Sequence, residues 1–392
     1  MFDSTLTIMY MISAQDCDKA MTRIGLFVPS LRGGGAERVM VTLATELARR
    51  NYTVDLVLAN ADGPYLADVP ASVNIVNLNS KRVLFAIPKL VRYLNMEKPD
   101  CILATLRHAN IVAIAAKLLS SHAFQLVIRE ANTIEAHLKH DSSRKEKVLP
   151  FLMKILYRRS NNVIAVSNDV KSDLISYTGL PDTNINVINN PVVHPDLFHL
   201  SEEPTNHPWL EPKTEAVIIS VGRLSRQKDY QTLIRAFAEF NQQLPAKLII
   251  LGEGEERGNL EQLIHDLDLK DRVSMPGFVS NPFCYIKKAD AFVLSSLWEG
   301  QPNALIQALA LGVPCISTDC PGGSREVLQN GQYGALIPPN SPQSLTEALH
   351  HILQSGHNST LDLDNANRNE HLHQAYGIQS VIDQYLKAMI PK

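Results

Sequence analysis

Two Rossmann-like, doubly wound parallel-sheet α/β domains facing a cleft are predicted by three observations. Short apolar, β-branched runs alternate with longer helical patterns in both halves of the chain. At 392 residues the chain exceeds the size at which a single core keeps growing, so two domains of roughly 150 to 200 residues are expected. Between the halves, residues 190–213 carry Pro191, Pro195, Pro204, Pro208 and Pro212, too many for a helix or a central strand to continue, and this stretch is the expected hinge. Ligand sites favour such domain interfaces.

The elements follow in order. Residues 1–22 are expected to be a disordered leader. Asp3, Asp16 and Asp18 are present, no basic segment precedes Met9–Ile12 as a signal peptide requires, and Met21 reads as a more natural start. The first domain, 23–195, has strands expected at Ile24–Val28, Val54–Leu58, Asn74–Leu78, Cys101–Leu106, Leu126–Arg129 and Val163–Val166. The second, 196–375, has them at Val217–Val221, Leu248–Leu251, Arg272–Met275, Ala291–Leu294 and Pro314–Ser317. Residues 376–392 close the chain with helical spacing at Ile378, Val381, Ile382, Tyr385 and Leu386.

Composition narrows the function classes. Apolar content of 45% and charged content of 20% describe an ordinary globular chain, and no apolar run reaches the roughly 18 residues that span a bilayer. The five cysteines (Cys17, Cys101, Cys284, Cys315, Cys320) are scattered and form no zinc-type pair, which fits a reduced cytosol and no metal site. A pI near 6.5 without a basic-aromatic stripe argues against nucleic acid. The net charge of -3 divides unevenly, +5 over residues 1–195 and -8 over the rest, so the two halves face different partners.

Several strand ends carry candidate chemistry. Ser295–Pro314 places Glu299 in a tight loop after an apolar strand, with a helix following at once, and a helix N-terminus at the carboxyl edge of a parallel sheet attracts phosphate. Asn303 and Gln307 lie one turn apart on that helix. Val217–Asp229 is a strand ending at Gly222, then Arg223 and Lys228, then a helix whose N-cap is Asp229. Fixed cations in a dry site stabilise a departing diphosphate. Gly33-x-Gly35-x-x-Arg38, including Gly34, follows the first strand and lacks the third glycine of the dinucleotide fingerprint, which weighs against NAD. Alone, this loop serves a plain tight turn as readily as a phosphate cradle. Phe278 and Val279 follow a strand-end glycine, where Phe278 could as readily be core. Within Leu103–Asn110 a strand ends and His108 follows, and a lone histidine is more often structural than catalytic.

The Ser295–Pro314 run resembles the signature of retaining glycosyltransferase family 4, a GT-B architecture also described as group 1, whose hallmark is Glu, seven residues, Glu. The likeness extends from about Arg23 to the end of the chain. Here the second position is Gln307, a departure from the pattern. The resemblance implies that Glu299 contacts the donor sugar, that backbone amides at Asn303, Ala304 and Leu305 meet phosphate and sugar, and that Gln307 stands where a carboxylate holds the ribose diol. It implies that Arg223 and Lys228 are the cationic pair at the diphosphate, with no metal and no cofactor beyond the nucleoside diphosphate sugar, UDP favoured. Gly222 lies in that turn, Gly34 and Gly35 lie over the donor phosphate and acceptor, and Phe278 and Val279 cover the base. His108 is implied to be the main polar contact of the acceptor lobe. Arg129-Glu130, at the end of the next strand, is expected to face the cleft, Ser167 resembles another cleft position, Arg226 is left as surface, and the final helix is expected to return to the first lobe.

The implied reaction transfers a hexose or N-acetylhexosamine, with retention, to a glycan or polyprenyl-diphosphate-linked acceptor in cell-surface polysaccharide assembly. A basic, amphipathic stretch at 139–159 is an expected contact for an anionic membrane, peripheral on the inner face of a cytoplasmic membrane, although its apolar stripe also suits packing on the sheet. Two alternatives stay open, a sugar-nucleotide epimerase or hydrolase of the same two-lobe fold and a non-catalytic nucleotide-sugar-binding protein.

Overall fold

The computed structural model describes Lys19 and residues 21–135, 151–354 and 365–390. The expected leader therefore lies almost wholly outside the described residues. So does the greater part of the 139–159 stretch.

Both halves are parallel sheets. In the first, β1 (Arg23–Val28), β2 (Thr53–Leu58), β3 (Asn74–Asn77), β4 (Cys101–Thr105), β5 (Gln125–Glu130), β6 (Asn162–Ala165) and β7 (Ile185–Val187) lie in the order β3-β2-β1-β4-β5-β6-β7. In the second, β8 (Ala216–Val221), β9 (Ala246–Leu251), β10 (Val273–Gly277), β11 (Ala291–Leu294), β12 (Cys315–Thr318) and β13 (Ala335–Ile337) lie in the order β10-β9-β8-β11-β12-β13. Every strand pair is parallel. Strands buried on both faces read as unbroken apolar runs, which is why Ile24–Val28 and Val217–Ile219 are fully buried. β7 and β13, three residues each, are additions to the expected set.

Each sheet reverses its strand order once, between β1 and β4 in the first and between β8 and β11 in the second. Loops at the carboxyl ends of those paired strands diverge to opposite sides and leave a crevice where ligands bind. The first core packs Leu90, Ile114, Met153, Tyr157 and Leu174 against one face of the first sheet. The second packs Leu233, Phe237, Phe240, Leu345 and Leu349 in the same manner.

The chain divides into two compact units, one of residues up to Pro191 together with Val381–Lys392, the other of Val192–Ser380. Outgoing and returning segments are tied together within the second unit. The amides of Val192 and Val193 both donate to Tyr376 O at 3.1 Å, and Ile378 N donates to Val193 O at 3.0 Å. From Val381 onward the final helix, Ile378–Met389, belongs to the first unit, where Val381, Ile382, Tyr385 and Met389 are buried.

The proline-rich stretch is not wholly irregular. Pro195–Ser201 is a helix with Pro195 in its first turn and His194 Nδ1 accepting from Leu197 N at 3.2 Å. Proline suits that position because its missing N–H would have had no helical partner.

Candidate functional site

In the second unit the crevice lies between the loops that follow β8 and β11. The first loop is pressed flat at Gly222, where a Cβ would stand 2.8 Å from Tyr230 Oη and 3.0 Å from Lys228 Cε, so only glycine lets the lysine arch back over the strand end. A short turn, Arg226–Lys228, follows, and Asp229 caps the helix Tyr230–Gln243 by accepting from Thr232 N at 3.4 Å. Burial pushes the Asp229 carboxyl and the Tyr230 hydroxyl up from their ordinary pKa values.

The second loop is bolted to the first. Leu297 N donates to Gln227 O at 2.8 Å, Gln227 Nε2 to Trp298 O at 2.8 Å, and Ser295 Oγ to Lys228 O at 2.7 Å. These bonds bring Lys228 Nζ to 2.5 Å from Glu299 Oε1, with Ser296 Oγ donating to the same oxygen at 2.6 Å. The lysine side chain is 17% exposed and the glutamate 6%. Glu299 is fixed from behind as well. Its amide donates to Pro321 O at 2.7 Å, and its carbonyl lies where a Cβ on Gly322 would be, at 1.9 Å. Cys320, close by, is no nucleophile, since burial first and the Glu299 charge second push its thiol up to about 12.

Lys228 and Glu299 are thus in direct contact. Arg223 is exposed on the same loop, and its guanidinium makes no hydrogen bond or ion pair among the described residues. After Glu299 the helix Asn303–Ala310 starts with no side-chain cap. Asn303, Ala304 and Gln307 are half-buried and Leu305 fully buried. The Gln307 amide makes no hydrogen bond among the described residues. Phe278, 41% exposed after β10, is not core, and Val279 beside it is half-buried. Arg226 is exposed.

The first unit has its own crevice between the loops after β1 and β4. Gly33 adopts φ 100°, and Gly34 forms the N-cap of the helix Gly35–Arg49. Leu31 N donates to Asp62 O at 2.8 Å, and Gly63, at φ 119°, lets its backbone press on Leu31 O where a Cβ would stand at 2.1 Å. Across the crevice, His108 is exposed as the second residue of the helix Arg107–Leu119. Leu106 before it holds φ 77°, ψ 134°, a region that L side chains enter only under strain, and such strain gathers at functional turns. Nothing in the sequence signals it.

Two expectations for this unit need correction. Arg129 and Glu130 are wholly buried and spend their polar atoms inside the unit. Arg129 donates to Tyr385 Oη at 2.9 Å, to Thr105 Oγ1 at 2.7 Å and to Asn190 Oδ1. Glu130 accepts from Tyr157 Oη and from Asn110 Nδ2 at 2.8 Å, with Arg107 Nε 3.7 Å away. Burial raises the Glu130 carboxyl above its ordinary value, against the opposing pull of Arg107. Arg107 also donates to Thr133 O at 2.7 Å, while Asp173 accepts from the amides of Ile134 and Glu135, so the loop after β5 hangs on charged side chains beneath it. Ser167 likewise caps a helix, Asn168–Thr178, accepting from Val170 N at 3.3 Å. Ser296, Leu106 and Arg107 were not singled out by sequence, since their importance lies in what they touch or in backbone geometry.

Known proteins resemble this chain over most of its length. The family model for glycosyl transferases group 1 matches residues 202–370, and that for Glycosyltransferase Family 4 matches residues 33–194. An N-acetylgalactosamine-N,N'-diacetylbacillosaminyl-diphospho-undecaprenol 4-alpha-N-acetylgalactosaminyltransferase of Campylobacter jejuni is 30% identical over 85% of this chain and 91% of that protein. The chain is a group 1 glycosyltransferase. This glycosyltransferase is also 25% identical to the amylovoran biosynthesis glycosyltransferase AmsD of Erwinia amylovora, over 82% of its own length and 87% of the relative's. Among solved structures, Anabaena Alr3699/HepE in complex with UDP and glucose superposes with a TM-score of 0.76 at 21% identity, covering 93% of this chain and 98% of that one, which establishes the GT-B fold.

Proposed function

We propose that this glycosyltransferase moves a hexose or N-acetylhexosamine from a nucleoside diphosphate sugar, with UDP as the favoured nucleotide, to a lipid-linked glycan, retaining the anomeric configuration. One observation carries the reading. A mostly buried Lys228–Glu299 pair sits at the strand-order reversal of the second sheet. Water is excluded there, so a cation is worth far more to a departing diphosphate than it would be in solvent.

In this scheme Glu299 holds the ammonium in place and addresses the sugar hydroxyls, and Arg223 adds a second, mobile cation. The bond from the anomeric carbon to the leaving phosphate oxygen breaks as the acceptor oxygen bonds on the same face, and the acceptor proton passes to that phosphate oxygen. No metal enters the scheme. The amides of Ala304 and Leu305, in a first turn with no side-chain cap, suit phosphate, the Asn303 amide donating to Gln301 O at 3.0 Å, and Gln307 suits a ribose hydroxyl. His108 and the Gly34–Gly35 loop serve the acceptor side.

The polyprenyl-linked acceptor draws support from the Campylobacter relative's substrate name. It also draws support from the described end of the basic stretch, where Phe151 and Ile155 are 64% and 52% exposed beside exposed Lys154, Arg158 and Arg159. Among the described residues no helix is long and apolar enough to cross a membrane.

A panel of nucleotide sugars incubated with an undecaprenyl-diphosphate-linked glycan tests the reading, by nucleoside diphosphate release with and without EDTA and by the NMR coupling of the new anomeric proton. Acceptor-dependent release of UDP and an α-linked product from an α-linked donor are expected. Equal release without acceptor would instead mark a hydrolase or epimerase.

A further inference from the structure

Several cations of the first unit are neutralised, whereas one run of four is not. Arg23, Arg32, Arg38, Arg50 and Arg107 all face carboxylates. Lys81, Arg82, Lys89 and Arg92 make no ion pair among the described residues, and residues 69–96 contain no Asp or Glu to supply one. Lys89 Nζ donates only to Asn79 O, at 2.7 Å, and Arg92 Nε only to Met96 Sδ, at 3.4 Å.

Amid these charges Leu84 and Phe85 stand 61% and 63% exposed. Their segment is nonetheless well anchored. Ala86 and Leu90 are buried in the first core, with Val83 and Ile87 packed against it, so the turn Val83–Ala86 is a fixed knob whose two large apolar side chains point outward. Its place is equally defined. Leu78 N donates to Leu58 O and Ser80 N to Ala59 O, which sets the segment at the carboxyl edge of the sheet. That edge also carries Gly34 and His108. The acids flanking that stretch, Asp68 and Glu97, are already taken by Arg38 and Arg23, as Asp62 is by Arg32.

We propose that Leu84 and Phe85 form a wedge that enters an anionic lipid bilayer, with Lys81, Arg82, Lys89 and Arg92 seated on its phosphate head groups. The charge decides the occupant. Four unneutralised cations around a second copy of the same patch would repel, whereas a sheet of lipid phosphates neutralises all four while its acyl region accepts the two apolar side chains. The wedge rests on the reading of a lipid-linked acceptor and gives it a geometry, because it would set the crevice of Gly34 and His108 at the height where such an acceptor's diphosphate leaves the bilayer. The helix Arg107–Leu119 touches both this knob and Tyr157–Arg159, so the Phe151–Arg159 surface lies in the same layer and can add a second point of contact.

The test uses the full chain and vesicles of phosphatidylcholine with and without phosphatidylglycerol. With anionic vesicles, Phe85→Trp is expected to gain emission that brominated lipid quenches, over the background of Trp209 and Trp298 in the parent. Leu84→Ser/Phe85→Ser, and separately Lys81→Glu/Arg82→Glu, are expected to lower flotation by about tenfold or more while leaving transfer to a lipid-free acceptor unchanged. Flotation of the parent with no quenching of the tryptophan at position 85, or a parent dimer that Leu84→Ser/Phe85→Ser converts to monomer, would overturn the wedge. Quenching at position 85 without transfer to any lipid-linked glycan would leave the wedge standing and remove the acceptor reading alone.

Discussion

The two crevices sit at equivalent points of two similar sheets, yet they use charge in opposite ways. In the second unit the ionised groups are part of the crevice wall, with Lys228 and Glu299 in contact and Arg223 exposed beside them. In the first unit Glu130, Arg107, Arg129 and Asp173 lie beneath the crevice and brace its loops, which present glycine backbone, His108 and the exposed, mutually neutralising Arg32–Asp62 pair. A site that must hold a diphosphate needs charge at its surface. One that must admit a neutral sugar hydroxyl needs only shape held firmly from below.

The sharpest way to break this contrast is to remove the second unit's cations. Lys228→Ala is expected to lower turnover by about 100- to 1,000-fold at saturating donor. It also leaves Glu299 buried without its counter-charge, so the melting temperature should fall by several degrees, a loss of about 3 kcal/mol. Arg223→Ala should cost a comparable factor in turnover with no change in melting temperature, because the guanidinium is exposed and unpaired. Steady-state kinetics and a thermal melt on both variants decide it, and normal turnover in both would end the scheme.

In the first unit the expectation is reversed. Tyr157→Phe removes a buried hydrogen bond to a carboxylate and should cost about 1.5 to 3 kcal/mol in stability, while nucleotide affinity measured by calorimetry stays unchanged. Glu130 offers a pH signature of the same network. Its native pKa is raised above the ordinary 4.5, so in the range just above that value the folded chain keeps a proton that the unfolded chain has released. Stability contributed by this group therefore falls as pH rises from 4.5 through the native pKa. Glu130→Gln lacks that fall, and its melting temperature relative to the parent should climb from pH 4.5 toward neutrality. A melting temperature of Glu130→Gln that instead falls relative to the parent as pH rises would contradict the burial argument.

Smaller effects sharpen the comparison further. Gln307→Glu restores charge to an acceptor on the second crevice and should tighten nucleotide binding by a few fold, since charged hydrogen bonds are about twice as strong as neutral ones. A large loss would mean that Gln307 does not face the nucleotide. Ser167→Ala should cost about 1 kcal/mol through its lost helix cap and leave activity alone.

Most of the architecture was legible because strands buried on both faces leave short, unbroken apolar runs, as at Leu248–Leu251 and Ala291–Leu294. β7 and β13 escaped because three residues carry no period to detect. The helix Pro195–Ser201 escaped because prolines count against a helix everywhere except its first turn, where Pro195 stands. Among site residues, the nearness of Lys228 to Glu299 followed from two strand ends and a family likeness. The strain at Leu106 did not, since no side chain announces a positive φ. Arg129 and Glu130 misled for a physical reason: charged residues at a strand's carboxyl end look like ligands for substrate, and only the hydroxyls of Tyr157 and Tyr385, from distant stretches of chain, reveal that they are ligands for each other's neighbours.

The bond from Arg129 to Tyr385 spans 256 positions and sets the order in which the molecule can be made. Residues of the first sheet leave the ribosome early, with a guanidinium at their centre that has no complete set of acceptors. That half must wait, unfinished, while the whole of the second unit is synthesised. Only when Val381, Ile382, Tyr385 and Met389 emerge can it close, so newborn chains halted before Val381 should be the ones that chaperones retain and proteases remove.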